Sequence, residues 1–234
     1  MKILLNNNDL NEALNKVSNL GFVPTMGSLH KGHMSLIRKS KKKASKTIVS
    51  IFINPKQFNN KKDFKRYPKN HKRDLSILKK LKVNYLYLPK PKQVYDSRRV
   101  KKIQIKKKDK ILCAKYRKGH FEGVLDVMDR LTKRIKPKFI FMGIKDYQQL
   151  HLVKNFVEKK HKCKIVPCKT IRNSNKLALS SRNLLLSKKG KSKAEKLTKN
   201  LIKFKRNLKK IKDIQKAITI KKKELSQTYN KNIE

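Results

Sequence analysis

Cysteine is scarce in this chain: three among 234 residues, Cys113, Cys163 and Cys168, with no Cys-x-x-Cys spacing. An odd, sparse set argues against a disulfide or zinc framework and for a reducing, cytoplasmic compartment. Long apolar runs are also missing. The N-terminal patch Ile3-Leu4-Leu5 gives way to three asparagines, too short for a signal peptide, and no run approaches the length of a membrane span. A membrane partner is therefore not expected. Tryptophan is absent, and acidic residues are few: 15 Asp and Glu against 65 Lys and Arg, a formal net charge of +50. Such an excess suits a nucleic-acid partner. Yet the lysines are spread along the whole chain. Aromatic residues are not interleaved with the basic runs Lys106-Lys107-Lys108 and Lys221-Lys222-Lys223 as stacking platforms would be. Compositional drift reads better than a specific nucleic-acid surface, leaving nonspecific attraction to polyanions at low salt. No internal repeat is visible.

What is present is a set of short apolar runs within an apolar content of 37%. Leu20–Val23, Ile48–Ile53, Val83–Leu88, Phe139–Met142 and Ile165–Val166 with its flanks read as buried parallel strands. Amphipathic stretches separate them. From Phe121 to Ile135, Val124, Val127, Met128, Leu131 and Ile135 repeat at helical spacing up to Pro137, and Asp146 to about Lys160 does the same with Leu150, Val153 and Val157. The alternation predicts an α/β fold: a Rossmann-like doubly wound parallel sheet over residues 1–185. Beyond it the texture is Lys-rich and broadly helical, with Leu197, Leu201, Phe204 and Leu208 as one stripe from Ser187 to Ile220. Residues 186–234 read as a small, shortened C-terminal lid subdomain, with Ser226 to Glu234 as a frayed polar tail.

The first run leads into Pro24-Thr25-Met26-Gly27-Ser28-Leu29-His30-Lys31-Gly32-His33, then the amphipathic Met34-Ser35-Leu36-Ile37. This is strand, Gly-containing loop, helix. A helix N-terminus offers unpaired N–H groups and the positive end of a dipole, a combination that binds phosphate. Gly32 lets the backbone approach a bulky anion, and His30 and His33 can donate to phosphate oxygens. The pattern is that of a nucleotidyl transferase, attacking the α-phosphate of ATP. On its own, His-x-Gly-His is as often a pair of capping or surface histidines.

Three further segments stand at the carboxyl ends of expected strands. Asn54-Pro55-Lys56-Gln57-Phe58 puts Gln57, which both donates and accepts, where a ligand bearing hydroxyls and a carboxylate would lie. Gly143-Ile144-Lys145-Asp146-Tyr147-Gln148-Gln149 places Lys145 beside a helix start, with Gln149 four residues on and on the same face. Asp146 is equally a helix cap and a nucleotide contact at this stage. Leu177-Ala178-Leu179-Ser180-Ser181-Arg182-Asn183 supplies two hydroxyls and a guanidinium, a phosphate clamp on a loop.

Together these segments, with Tyr67-Pro68, Asp74-Leu75 and Gly119-His120-Phe121-Glu122-Gly123-Val124, closely resemble the pantothenate synthetase (pantoate–β-alanine ligase) family of the nucleotidyl transferase superfamily. The likeness covers roughly residues 20 to 186 in the family's order. It implies a ligase that forms a C–N bond. ATP and pantoate give pantoyl adenylate and pyrophosphate with Mg²⁺, and β-alanine then displaces AMP to give pantothenate. It implies His33 as the catalytic histidine, with His30, Lys145 and Arg182 beside it and no protein metal site. Met26 to His33 (Met26, Gly27, Ser28, Leu29, His30, Lys31, Gly32, His33), Gly143, Ile144, Lys145, Asp146, Ile171, Leu179, Ser180, Ser181 and Arg182 are implied as ATP contacts. Gln57 and Gln149 map to pantoate-binding glutamines, Gln57 also meeting β-alanine, with Asn54 a further contact. A homodimer is implied as well. Three departures stand out: Ile144 where the family usually has an acidic residue, Lys118 where it has proline, and a C-terminal portion shorter by some tens of residues. A decayed homologue that merely binds polyanions is the competing reading.

Overall fold

The computed structural model describes residues 1–96, 103–208 and 210–229. Six strands form one sheet: β1 (Lys2–Leu4), β2 (Leu20–Thr25), β3 (Lys46–Ile51), β4 (Tyr85–Tyr87), β5 (Phe139–Gly143) and β6 (Lys164–Cys168). All pairings are parallel, in the order β1-β4-β3-β2-β5-β6. The helices are α1 (Asn7–Leu14), α2 (Lys31–Lys43), α3 (Lys61–Arg66), α4 (His71–Lys80), α5 (Pro91–Val94), α6 (Cys113–Tyr116), α7 (His120–Ile135), α8 (Tyr147–Lys160), α9 (Lys188–Leu208) and α10 (Ile214–Tyr229).

Helices cover both faces of the sheet, as the near-continuous apolar strands require. On one face Leu36 and Ile37 of α2 and Leu78 of α4 pack on Val23, Val49, Leu86 and Phe141. On the other, α1, α7 and α8 meet Phe22, Ile48, Tyr87 and Ile140 through Leu10, Val127, Leu131 and Val153. The chain winds outward from β2 through β3 to β4, then returns to place β5 on the opposite side of β2. That reversal is the switch point of a doubly wound sheet, where the diverging loops leave a crevice at the carboxyl ends of β2 and β5.

All five expected strands form. The sixth, β1, was not expected: three residues at an edge, with Leu4 alone buried, carry too little periodicity to announce a strand. The Ser187–Ile220 region divides into α9 and α10. The expected frayed tail is helical as far as Tyr229, and the rest of it lies outside the described residues.

The chain packs as two compact units. One holds Met1–Arg172 with Ala178–Leu185; the other holds Asn173–Leu177 with the described residues of Leu186–Glu234. Within the second, Glu195 of α9 accepts from Asn173 and Asn175, and Glu224 of α10 pairs with Lys221. Every residue of the site lies in the first unit.

Helix α7 does the most to shape that site. Thirteen of its sixteen residues are buried, so its polar groups need partners. Asp126 accepts from Arg130 Nε at 2.9 Å and from Lys56 Nζ at 3.2 Å. Asp129 pairs with Lys160 and His161 of the neighbouring α8 region at 2.8 and 2.7 Å. Burial alone would raise the Asp126 carboxyl, but Arg130 and Lys56 outweigh it and hold it below the usual range.

Candidate active site

The loop after β2 carries two consecutive residues in the left-handed region, Gly27 (φ 79°) and Ser28 (φ 51°). Gly27 also sits tightly, since a Cβ there would lie 3.0 Å from Ile51 and 3.1 Å from Asp74. Asp74, 1% exposed on α4, accepts the backbone N–H of Ser28 at 2.8 Å and of Leu29 at 2.7 Å. The carboxylate therefore holds an otherwise costly backbone in place. A loop so pinned delivers His30 to the N-cap of α2.

There the two histidines cap the helix together. Gly32 N–H donates to His30 Nδ1 at 3.1 Å, and His30 N–H donates to His33 Nδ1 at 3.3 Å. Their ring centroids are 4.1 Å apart. Since both Nδ1 atoms accept, each ring carries its proton on Nε2, a donor available to a ligand. Desolvation lowers the His30 pKa to about 4, and Lys145 adds to the effect. Desolvation likewise lowers His33 to about 3, helped by His30 and Lys145. Both are neutral donors near pH 7, not cations. Capping and phosphate donation, alternatives from sequence, are compatible uses of opposite ring nitrogens.

A cavity opens above them, with a probe-sized free space of about 270 Å³. Met26, His30, Gly32 and His33 line it from the β2 side. Gly143, Lys145, Asp146 and Gln149 line it from the β5 side, Gln57 and Asn54 from the turn after β3, and Ile171, Leu179, Ser180, Ser181 and Arg182 from the segment after β6. Its apolar floor includes Phe52, Val124, Val127, Met128 and Met142. Asp146 is the one acidic residue among those lining it.

Several expected contacts are corrected. Gly27, Ser28, Leu29, Lys31 and Ile144 do not line the cavity. Gly27 and Ser28 are committed to the Asp74 turn, Leu29 is a core residue at 2% exposure, and Lys31 and Ile144 point to solvent. Asn54 lines the cavity, but its amide is already saturated. It donates to Gly123 O (3.0 Å) and Gln57 Oε1 (3.1 Å) and accepts from Lys56 N (3.1 Å) and Tyr95 Oη (2.6 Å). It orients Gln57 rather than meeting a ligand. Ser181 Oγ donates to Ser28 O at 3.0 Å, so its hydroxyl joins two loops and is unavailable to a phosphate. Asp146 makes no side-chain cap for α8 and instead accepts from Lys145 Nζ at 2.9 Å. Lys145 itself precedes α8, in a 3-10 turn over Ile144–Asp146.

Other residues were not singled out from sequence. His120 Nδ1 donates to Gln57 O at 2.6 Å, while Arg117 donates to His120 Nε2 at 2.9 Å, so the imidazole buttresses the Gln57 turn. Gly123 of α7 is needed there too, since a Cβ would stand 2.2 Å from Lys56 O. The Lys118 carbonyl accepts from Asn59, which anchors the loop before α7. Tyr67, Arg117, Lys169 and Thr170 also line the cavity. The signal for His120 and Gly123 is their spacing, one helical turn apart at the start of α7.

A crevice at the switch point of a doubly wound sheet, edged by neutral imidazole donors, two cations and a single carboxylate, belongs to an α/β enzyme that handles a phosphate-bearing nucleotide. Within that class the chain belongs to the pantoate-beta-alanine ligase family, whose family model matches residues 2–234. A pantothenate synthetase of Pseudothermotoga lettingae is 40% identical over 189 residues, covering 80% of this chain and 67% of the relative. One from Leptospira biflexa is 44% identical over 177 residues, 75% and 62% respectively. The crystal structure of the Francisella tularensis pantoate-beta-alanine ligase complexed with beta-gamma ATP and beta-alanine superimposes with a TM-score of 0.82 at 40% identity, covering 85% of this chain and 78% of that one. Pantoate-beta-alanine ligase of Thermus thermophilus gives 0.85 at 33% identity, covering 90% and 76%. Among the described residues no helix is long and apolar enough to cross a membrane.

Proposed function

We propose that this cavity condenses pantoate with β-alanine, using ATP, through an acyl adenylate. The carboxylate oxygen of pantoate attacks the α-phosphorus of ATP and the bond to the β-phosphate breaks, releasing pyrophosphate. The amine of β-alanine then attacks the acyl carbon, the C–O bond to AMP breaks, and the amine gives up a proton. Pantoate is ionised at pH 7, so the first step requires no general base. Its barrier is one of alignment and of charge accumulating on the α-phosphate. The observation that carries this reading is the pair of neutral histidines with Nε2–H free, in one cavity with Lys145, Arg182 and the Asn54-oriented Gln57. Ser180 accepts from Arg182 N–H and keeps its own proton to donate.

The donor set suits a magnesium ion that arrives with the nucleotide. Among the described residues no three His, Cys, Asp or Glu side chains converge as a resident metal site. One carboxylate with phosphate oxygens and water is a usual magnesium shell, and Asp146 would hold it. When bound, the ion neutralises charge on the departing pyrophosphate. Three unpaired cysteines support a cytoplasmic setting, and the family resemblance supports a homodimer.

The test is AMP release from ATP with pantoate and β-alanine each present or omitted. Release is expected only with both, and a single turnover of pyrophosphate with pantoate alone. AMP formation indifferent to either substrate would overturn the reading.

A further inference from the structure

Arg182 is held from behind. Its Nη2 donates to Asp63 Oδ2 at 2.9 Å and its Nε to Asp63 Oδ1 at 3.2 Å, a side-on, two-point grip by a residue of α3. The guanidinium carbon lies 5.2 Å from the Tyr67 ring centroid and 5.8 Å from that of Phe58. Arg182, Tyr67 and Phe58 line the cavity, whereas Asp63 does not. Asp63 therefore stands outside the space a phosphate would fill, and does not compete for it. The grip occupies one edge of the guanidinium and leaves Nη1 without a partner among the described residues. Hydrogen bonding and attraction from Arg182 outweigh partial burial and hold the Asp63 carboxyl below its ordinary range. The same bond raises Arg182.

A pair this exposed, 43% for Arg182 and 36% for Asp63, contributes little to stability. Its geometry matters more. A free arginine loses rotamer freedom each time it engages an anion; a planar fork already fixed on one edge does not. We propose that Asp63 is a positioning residue for nucleotide binding, presetting Arg182 so that its Nη1 edge meets the ATP phosphates. The proposal rests on the function given above and names a residue outside the cavity that tunes it.

A double-mutant cycle tests it, reading KM for ATP, kcat and KM for pantoate, with direct binding of a non-hydrolysable ATP analogue by calorimetry. D63N, close in size to the native side chain, is expected to raise the ATP KM about ten-fold, the worth of one charge-assisted hydrogen bond. The pantoate KM stays within about two-fold, because D63N leaves the Gln57 side untouched. D63E restores the carboxylate and should recover most of the ATP affinity. In an R182A background D63N should change the ATP KM by less than about two-fold, since there is no guanidinium left to orient. An ATP KM unchanged in D63N, or raised equally with and without Arg182, overturns the role of Asp63 while the active-site reading stands. Wild-type ATP affinity in R182A overturns the placement of Arg182 at the nucleotide, and the inference with it. Should D63N fold poorly, the D63E comparison alone decides: affinity lost with the carboxylate retained but displaced supports positioning, and unchanged affinity refutes it.

Discussion

A histidine that touches phosphate is usually drawn as a cation, and here the surroundings say otherwise. Both imidazoles are desolvated, both lie near Lys145, and each spends its Nδ1 lone pair on a backbone N–H. ¹⁵N spectra of the free protein at pH 6 should show His30 and His33 as neutral Nε2–H tautomers, with midpoints far below 6.5. A His33 midpoint near 6.5 would contradict the geometry. The linkage to stability follows in sign. The unfolded histidines bind protons below about pH 6.5, while the folded ones resist down to about 4 and 3. Between those limits the unfolded state holds more protons, so stability falls as pH drops from 6.5 toward 4. His33→Ala should slow adenylate formation by about 10²–10³-fold, the usual loss on removing one preorganised donor, with the melting temperature at pH 7 little changed. Near-normal turnover would show that His33 is not such a donor.

At the level of elements, the turn after β3 and the start of α7 are a single construction. Asn54 reaches across to Gly123 O, His120 donates to Gln57 O, and the missing side chain of Gly123 lets the Lys56 carbonyl sit against the helix. An alanine inside a helix ordinarily stabilises by about 0.5–1 kcal/mol over glycine. In G123A the 2.2 Å contact with Lys56 O reverses that sign, since overpacking a buried contact costs about 1–3 kcal/mol. G123A should lower the melting temperature and raise the pantoate KM at least about ten-fold, more than it raises the ATP KM; equal effects would separate the Gln57 turn from pantoate.

This coupling also shows where the sequence was legible. The strands and long helices declared themselves because burial on both faces leaves unbroken apolar runs and helical spacing leaves a stripe. The cavity-lining His30, His33, Lys145, Gln149 and Arg182 were found because each follows such a strand. Asp74, Asp63 and His120 were not assigned roles. Each acts on a partner far away in sequence, and an acid in the first turn of a short helix looks the same whether it caps that helix or pins a distant loop. The reverse error befell Asn54 and Ser181, polar residues in the right place whose hydrogen bonds are already used internally.

For the molecule as a whole, a net charge of +50 sets a long-range attraction for anions of every kind. Binding to duplex DNA should be measurable at low ionic strength and vanish by about 0.15 M salt, where the Debye length is about 8 Å. Sequence-selective binding persisting above that would reveal a nucleic-acid surface. Finally, the walls of the cavity come from widely separated parts of the chain. Gly21 on β2 pairs with Phe139 on β5 only after β3, β4 and α7 have been made, and the clamp at Arg182 follows later still. No local fragment contains a binding site in miniature. A nucleotide therefore recognises only the finished first unit, and its affinity is added to the cooperative folding of that unit rather than to any single loop.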